Sequence, residues 1–428
     1  KKVRMHFWVG NTPEKLYLFQ WDGDTLVLPY GCLNDVLAMD DCYMKINLPT
    51  PTEVDFGCTI PLYDYQVEAK EALITAYYGI LQAPAGCGKT QIGIAVAADT
   101  GRRTLWLTHT RDLLVQSKSR AEQYMSPSLT GTITEGRVQI GKAITFATVQ
   151  TMCNLDLSQY RDVWDCIIVD ECHRVAGTPT AMTQFSKVLN ALAARHKYGL
   201  SATVHRADGM IAATYALLGG IAYQVPDEAV KDKIMTVSVL PRATHQVLSR
   251  EFLDTDGTII YAKLVNFLAD RYDRNELIAA DLVENQDHYN LILSDRLNHL
   301  EYLMNHLPRQ LREQAVMIDG KMTTKKAKAL REQAIEEMRQ GRKRYLFATY
   351  SLAKEGLDIP RLDRLYLTTP QKDYAVITQS IGRIARTFEG KGEPIAYDYV
   401  DDGIQYLVRS YKKRCTTYRK AGCKFLEP

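Results

Sequence analysis

The 428-residue chain contains no uninterrupted apolar run of about 18 residues and no basic-then-apolar leader at its start, so neither a membrane span nor a secretory signal is read from it. Its nine cysteines are odd in number and none is spaced as a Cys-x-x-Cys pair, which fits neither a disulfide framework nor a structural zinc site and predicts reduced thiols. Internal repeats of solenoid period and low-complexity tracts are also missing. What is there, 46% apolar and 24% charged residues, fits an ordinary globular protein and excludes a fibrous, collagenous or fully disordered one. At roughly 100 to 200 residues per domain, the length predicts two large domains and a small third. A cytosolic location is expected.

The balance of 53 Lys and Arg against 50 Asp and Glu conceals a difference between the halves. Residues 1–229 carry 20 basic and 23 acidic side chains, residues 230–428 carry 33 and 27. The last 24 residues hold seven bases (Arg409, Lys412, Lys413, Arg414, Arg419, Lys420, Lys424) against the single acid Glu427. Tyr411 and Tyr418 interleave with them, the pattern of a surface that tracks phosphates and offers stacking positions. A solvated last helix carries the same pattern.

Along the chain, residues 1–58 hold apolar-aromatic runs (Val3 to Val9, Lys15 to Trp21, Thr25 to Tyr30) separated by Gly-Asn and Asp-Gly turn signals, which predict a small antiparallel β module. The Pro-Thr-Pro-Thr stretch at 49–52 reads as a linker. Within 59–229, β-rich segments (Ile80 to Ala83, Thr104 to Thr108, Ala143 to Thr148, Cys166 to Val169, Tyr198 to Ser201) alternate with helical patterns, predicting a parallel sheet covered by helices. The alternation restarts within 230–428 at Tyr289 to Leu293, Ala315 to Ile318, Arg344 to Ala348, Arg364 to Leu367 and Pro394 to Tyr399. The fold class is therefore α/β, with two parallel-sheet domains in tandem after the small N-terminal module.

The most specific local signal is Gln82-Ala83-Pro84-Ala85-Gly86-Cys87-Gly88-Lys89-Thr90, which follows a predicted strand and opens a predicted helix. Backbone N–H groups of such a loop, with the positive end of the helix, form a concavity for β- and γ-phosphates. Lys89 supplies a point charge and the Thr90 hydroxyl a ligand for Mg²⁺. Ala83 stands where the pattern has its first Gly, which is tolerable if that backbone is not left-handed. Some 80 residues on, Cys166-Ile167-Ile168-Val169-Asp170-Glu171-Cys172-His173 puts two acids after four apolar residues. Asp170 is expected to hold Mg²⁺, and Glu171 to orient and deprotonate the attacking water. Cys87 and Cys172 converge on the nucleotide, so their modification is expected to inhibit hydrolysis if the thiols are accessible.

In this order the motifs resemble the superfamily 2 helicases and translocases over roughly residues 60–400. Tyr65-Gln66 is similar to the adenine-contacting glutamine element. Thr108 to Gln116 and Thr145 to Gln150 are similar to nucleic-acid-contacting segments, and Gly199 to Thr203 to the Ser-Ala-Thr element that couples hydrolysis to domain movement. Leu346 to Thr349 with Glu355 to Asp358 resembles the fifth motif, and Gln379 to Arg386 the sixth. The resemblance implies two RecA-like domains and an ATP site made of Gln66, Ala85, Gly86, Cys87, Gly88, Lys89, Thr90, Gly356 and Asp358. Gln379, Arg383 and Arg386 join Lys89, Asp170 and Glu171 in catalysis. Arg383 and Arg386, at i, i+3 spacing, are expected on one helix face as arginine fingers. Thr110, Arg111, Thr148, Gln150, Arg206, Ser294, Arg296 and Thr349 are candidate contacts to the nucleic-acid backbone.

Arg206-Ala207-Asp208-Gly209 after Ser201-Ala202-Thr203 is similar to the XPB-like branch, and the compact length to phage members of the UvsW type, which places the expected site of action in the host-cell cytoplasm. The function implied is an ATP- and Mg²⁺-dependent DNA helicase or translocase that moves along single-stranded, duplex or branched DNA and remodels or branch-migrates forks and junctions in replication, recombination or repair, independent of base sequence and without a structural metal. The alternatives are a duplex translocase that never separates strands, an RNA helicase and an ATP-silent scaffold. For a strand-separating wedge the candidates are Phe7 and Trp8, or the basic tail with Tyr411 and Tyr418.

Overall fold

In the computed structural model of the protein, the residues described are 17–427 apart from 40–42, 47, 85, 135, 177–178, 203–209, 231–233, 248–251, 253–258, 320–324, 355–356, 358 and 372. Two compact units, residues 1–230 and 231–428, divide the chain. Among the described residues no helix is long and apolar enough to cross a membrane.

The first unit opens with a hairpin of β1 (Gln20–Asp22) and β2 (Thr25–Val27), both strands exposed. Its main sheet contains β3 (Tyr78–Gln82), β4 (Thr104–Thr108), β5 (Thr130–Thr134), β6 (Arg137–Gln139), β7 (Ile144–Thr148), β8 (Cys166–Asp170), β9 (His196–Ser201) and β10 (Ile221–Gln224). Their order is β10-β3-β9-β8-β4-β7-β5-β6, parallel throughout except for the β5–β6 hairpin. β4, β7, β8 and β9 are buried along their whole length, which is why their sequences read as continuous rather than alternating apolar runs. The helix Lys89–Thr100 lies close on this sheet because position 93 is glycine: a Cβ there would sit 2.7 Å from Trp106 and 2.8 Å from Leu200.

The described part of the N-terminal module has one hairpin rather than several strands. Pro29, which has no N–H to donate and a fixed φ of −58°, opens the turn Tyr30–Cys32 where the third run would have continued. Val3 to Val9, with Phe7 and Trp8, lies outside the described residues. The turn docks on helix Ile211–Leu218, where a Cβ at Gly31 would meet the Tyr215 carbonyl oxygen at 2.2 Å.

The second unit holds β11 (Ser238–Ala243), β12 (Asn290–Ser294), β13 (Ala315–Ile318), β14 (Tyr345–Thr349), β15 (Arg364–Leu367), β16 (Ile395–Val400) and β17 (Lys424–Phe425) in the all-parallel order β13-β14-β12-β15-β16-β11-β17. Apolar clusters fill both faces. One gathers Leu291, Leu293, Leu346, Leu365 and Ile381, the other Ile278, Ile292, Leu300, Phe347 and Tyr366. Both units are RecA-like parallel sheets covered by helices.

Candidate active site

In the first unit β3, β9 and β8 are neighbours, and the chain leaves all three at the same edge of the sheet. Ser201, the last residue of β9, is in register with Gln82, and its carbonyl accepts the Ala83 N–H at 3.0 Å, which fixes the entry to the Gly-rich loop. Ala83 is fully buried and is not among the residues of positive φ. Gly86 and Gly88 supply the left-handed positions, at φ 89° and 81°, that turn the chain into helix Lys89–Thr100. Between them the Cys87 carbonyl is clamped by two donors from helix Asp64–Ala76, the Tyr65 hydroxyl at 2.9 Å and Gln66 Nε2 at 2.8 Å. Gln66 Oε1 accepts the Tyr63 N–H at 3.0 Å. The structure thus brings Gln66 beneath the loop, with both ends of its amide bonded to protein. Lys89 Nζ reaches back to the carbonyls of Ala83 and Pro84 at 3.4 and 3.5 Å, inside the turn that its own backbone closes. Ala85 lies outside the described residues.

β8 ends at Asp170, whose carboxylate is buried with two donors, the Ser117 hydroxyl at 3.3 Å and the Glu171 N–H at 3.0 Å. Burial and, second, the charge of Glu171 hold Asp170 well above the usual carboxylate range, with Lys89 pulling the other way. Glu171 itself is left-handed, φ 49° and ψ 48°, a conformation that turns it out of the strand line. Its Oε2 lies 3.1 Å from His173 Nδ1, and the same nitrogen makes a 3.0 Å hydrogen bond with the Ser201 hydroxyl, so the imidazole stands between the acid and the end of β9. The buried Asp170 carboxylate, on which the Lys89 charge acts, and the hydroxyl of the half-buried Thr90 one residue into the helix are hard-oxygen groups of the kind that fit Mg²⁺. Cys87 and Cys172 are buried at 2% and 0% exposure, and burial pushes both thiols up, so neither meets the condition of accessibility on which inhibition by modification depends.

Two of the candidate nucleic-acid residues are helix caps. Thr110 accepts the Leu113 N–H and Thr148 the Thr151 N–H, each at 3.4 Å, and the two loops leave adjacent strands. Gln150 Nε2 donates to the His109 carbonyl at 2.9 Å and ties those loops together. Arg111 is exposed on the first turn of helix Arg111–Ala121. Arg206 lies outside the described residues.

In the second unit Ser294 and Thr349 pair in register at the ends of β12 and β14. Ser294 is fully buried, bonded to His299 Nδ1 at 3.1 Å and to the Arg296 N–H at 3.1 Å, so its hydroxyl braces the loop instead of facing a ligand. Arg296 donates to Asn266 at 2.5 Å and to the Ala262 carbonyl at 3.3 Å, and the Thr349 hydroxyl shares a hydrogen with Ser351 at 2.9 Å. Helix Tyr374–Ile384 carries Gln379, whose Oε1 is buried with no described partner, and Arg383, whose Nη1 donates to the Leu357 carbonyl at 3.0 Å. Arg386 does not continue the helix face expected for it. The chain turns off at Ala385 into a bridge between Ile234 and Arg386, and Lys391 Nζ takes up the freed carbonyls of Ile384 and Arg386, each at 2.7 Å. Gly356 and Asp358 lie outside the described residues. Ser117, His299 and Lys391 are contributors that no sequence pattern singles out, since each acts through a contact with another element or loop.

A phosphate-loop turn and paired acids at one edge of a RecA-like sheet, followed by a second RecA-like unit, define a two-unit P-loop ATPase. Residues 59–206 match the family described as type III restriction enzyme, res subunit, and residues 273–388 the helicase conserved C-terminal domain. A probable helicase of Escherichia phage T5 is 25% identical over 347 residues, 81% of this chain and 72% of that protein. The DNA 3'-5' translocase XPB2 of Sulfurisphaera tokodaii is 25% identical over 372 residues, 79% of this chain and 81% of that protein. Among solved structures, the type ISP restriction-modification enzyme LlaBIII bound to DNA shares the fold at a TM-score of 0.61 and 16% identity, covering 87% of this chain and 32% of that one. S. cerevisiae Dbp5 bound to RNA and ADP BeF3 does so at 0.58 and 16%, covering 86% and 94%. The chain belongs to the superfamily 2 helicases, as an ATP-hydrolysing enzyme with XPB-type and phage relatives.

Proposed function

We propose that this protein is a DNA helicase or translocase that couples ATP hydrolysis to movement along DNA and remodels or branch-migrates forked and junction DNA. The observation that carries the reading is the convergence of the Gly-rich turn and the Asp170-Glu171 pair at one edge of the sheet, where Ser201 at the end of β9 accepts the Ala83 N–H and bonds the imidazole that faces Glu171. In this reading the Gly86 to Thr90 turn cradles the β- and γ-phosphates. Lys89 exchanges its two carbonyl contacts for phosphate oxygens, and Glu171 takes a proton from the attacking water as ADP leaves. Thr90 and Asp170 would hold Mg²⁺, which neutralises charge on the phosphates. Arg383 would stabilise charge on the γ-phosphate, so ATP favours the state in which that contact forms and hydrolysis releases it. Thr110, Arg111, Gln150, Arg296 and Thr349 stand at strand-to-helix junctions suited to backbone contact, which implies sequence-independent tracking.

DNA rather than RNA is supported by the translocase XPB2 among the relatives. The test is strand exchange on a synthetic four-way junction and strand displacement on a fork, with ATP. Conversion of the junction to duplex products is expected, and Lys89→Ala should abolish it. ATP turnover on DNA without either product would leave a duplex translocase. Turnover on RNA alone would make the protein an RNA helicase.

A further inference from the structure

The helix Gln405–Lys420 closes the second unit with two unlike faces. Its inner face is locked. Arg414, 3% exposed, holds Asp398 of β16 through two 2.8 Å bonds and donates to the Gln371 carbonyl at 3.0 Å, while the fully buried Tyr418 donates to the same carboxylate at 2.6 Å. Its outer face presents Gln405, Arg409, Lys412, Lys413, Thr416, Arg419 and Lys420 to solvent, and the helix contains no acid. At 100° per residue the five bases occupy an arc of about 120°. Among the described residues no ion pair joins Arg409, Lys412, Lys413 or Lys420 to a carboxylate, whereas the exposed helix Arg309–Arg312 pairs Arg309 with Glu313 at 3.1 Å.

An unneutralised row of like charges costs the fold self-repulsion and gains it nothing, so the row points to an external polyanion. From Arg409 to Lys420 the helix rises roughly 16 Å, over which a duplex presents about five phosphates per strand. The buried Arg414–Asp398 pair makes the helix a rigid platform, which spares the ordering cost of presenting five long side chains on a mobile tail.

Resting on the reading of the chain as a DNA motor, we propose that the outer face of Gln405–Lys420 is a second DNA-backbone site, apart from the loops at the strand ends, and that it supplies affinity rather than hydrolysis. The experiment measures binding of the full chain to a labelled duplex across a salt series, comparing the wild type with Lys412→Gln/Lys413→Gln/Lys420→Gln and with the control Arg309→Gln/Arg312→Gln. The triple variant is expected to bind roughly tenfold or more weakly at low salt, with the slope of log K against log salt reduced by about 2 to 3, at 0.9 per lost phosphate contact. ATP hydrolysis without DNA stays unchanged, and the control keeps the wild-type slope. An unchanged slope in the triple variant, or an equal loss per charge in the control, overturns the proposal while the wild type still binds. A wild type with no salt-dependent binding overturns the DNA reading itself.

Discussion

Glu171 occupies a left-handed backbone conformation that costs a non-glycine residue on the order of 1–3 kcal/mol, and it does so at the residue proposed to activate the attacking water. That Lys89 and Thr90 open a helix after β3 and that Asp170 ends β8 was legible in the sequence, because each belongs to a strand-loop or strand-turn pattern within a few residues. The partners that tune them were not. Ser117 reaches Asp170 across 53 positions, and Gln150 reaches His109 across 41. His299 belongs to the same hidden layer. Burial pushes it down to about 3 from an ordinary 6.5, and it sits neutral between the Ser294 hydroxyl and Asn275 Oδ1 at 3.1 and 2.9 Å. Because the folded value is depressed, the unfolded chain takes the proton first as pH falls. Its contribution to stability is therefore intact above about 6.5 and is lost between 6.5 and 3, at up to about 1.4 kcal/mol per pH unit. Urea unfolding from pH 7 to pH 4 should show His299→Gln with a shallower loss than the wild type. Equal slopes would contradict a neutral buried imidazole.

At the scale of elements, the fully buried parallel strands were readable to within one or two residues. β4 and β15 begin and end where their apolar runs do, since a strand buried on both faces leaves an unbroken signal. β11 escaped because Pro241 stands inside it. The structure tolerates that proline because β17 pairs only with Ser238 and Val239, so no ladder bond is asked of residue 241 on that side. The tail was half read. Its exposed bases follow the charge pattern, but Arg414 and Tyr418 are core residues held by Asp398, which a run of charges does not disclose. Arg414→Met would strand a buried carboxylate and is expected to cost roughly 3–5 kcal/mol, and Arg414→Met with Asp398→Asn should recover part of it. Chemical denaturation read on the second unit checks both. A single variant within about 0.5 kcal/mol of the wild type would show that the pair does not anchor the helix.

On the scale of the whole molecule, each unit encloses its own apolar core, and each brings a different half of the expected chemistry. The first holds the phosphate loop and the acids, the second the arginines. That division was legible because the alternation of strand and helix restarts midway. The hidden part was which side chains fasten each loop. The measurement that tests the account most directly is steady-state ATP hydrolysis by the full chain with no polymer, single-stranded DNA, duplex, a four-way junction and RNA. Lys89→Ala and Arg383→Ala serve as controls. The account predicts strong stimulation by DNA, greatest with the junction, and loss of turnover in both variants. A rate that no nucleic acid changes, or an Arg383→Ala variant with wild-type turnover, would contradict it.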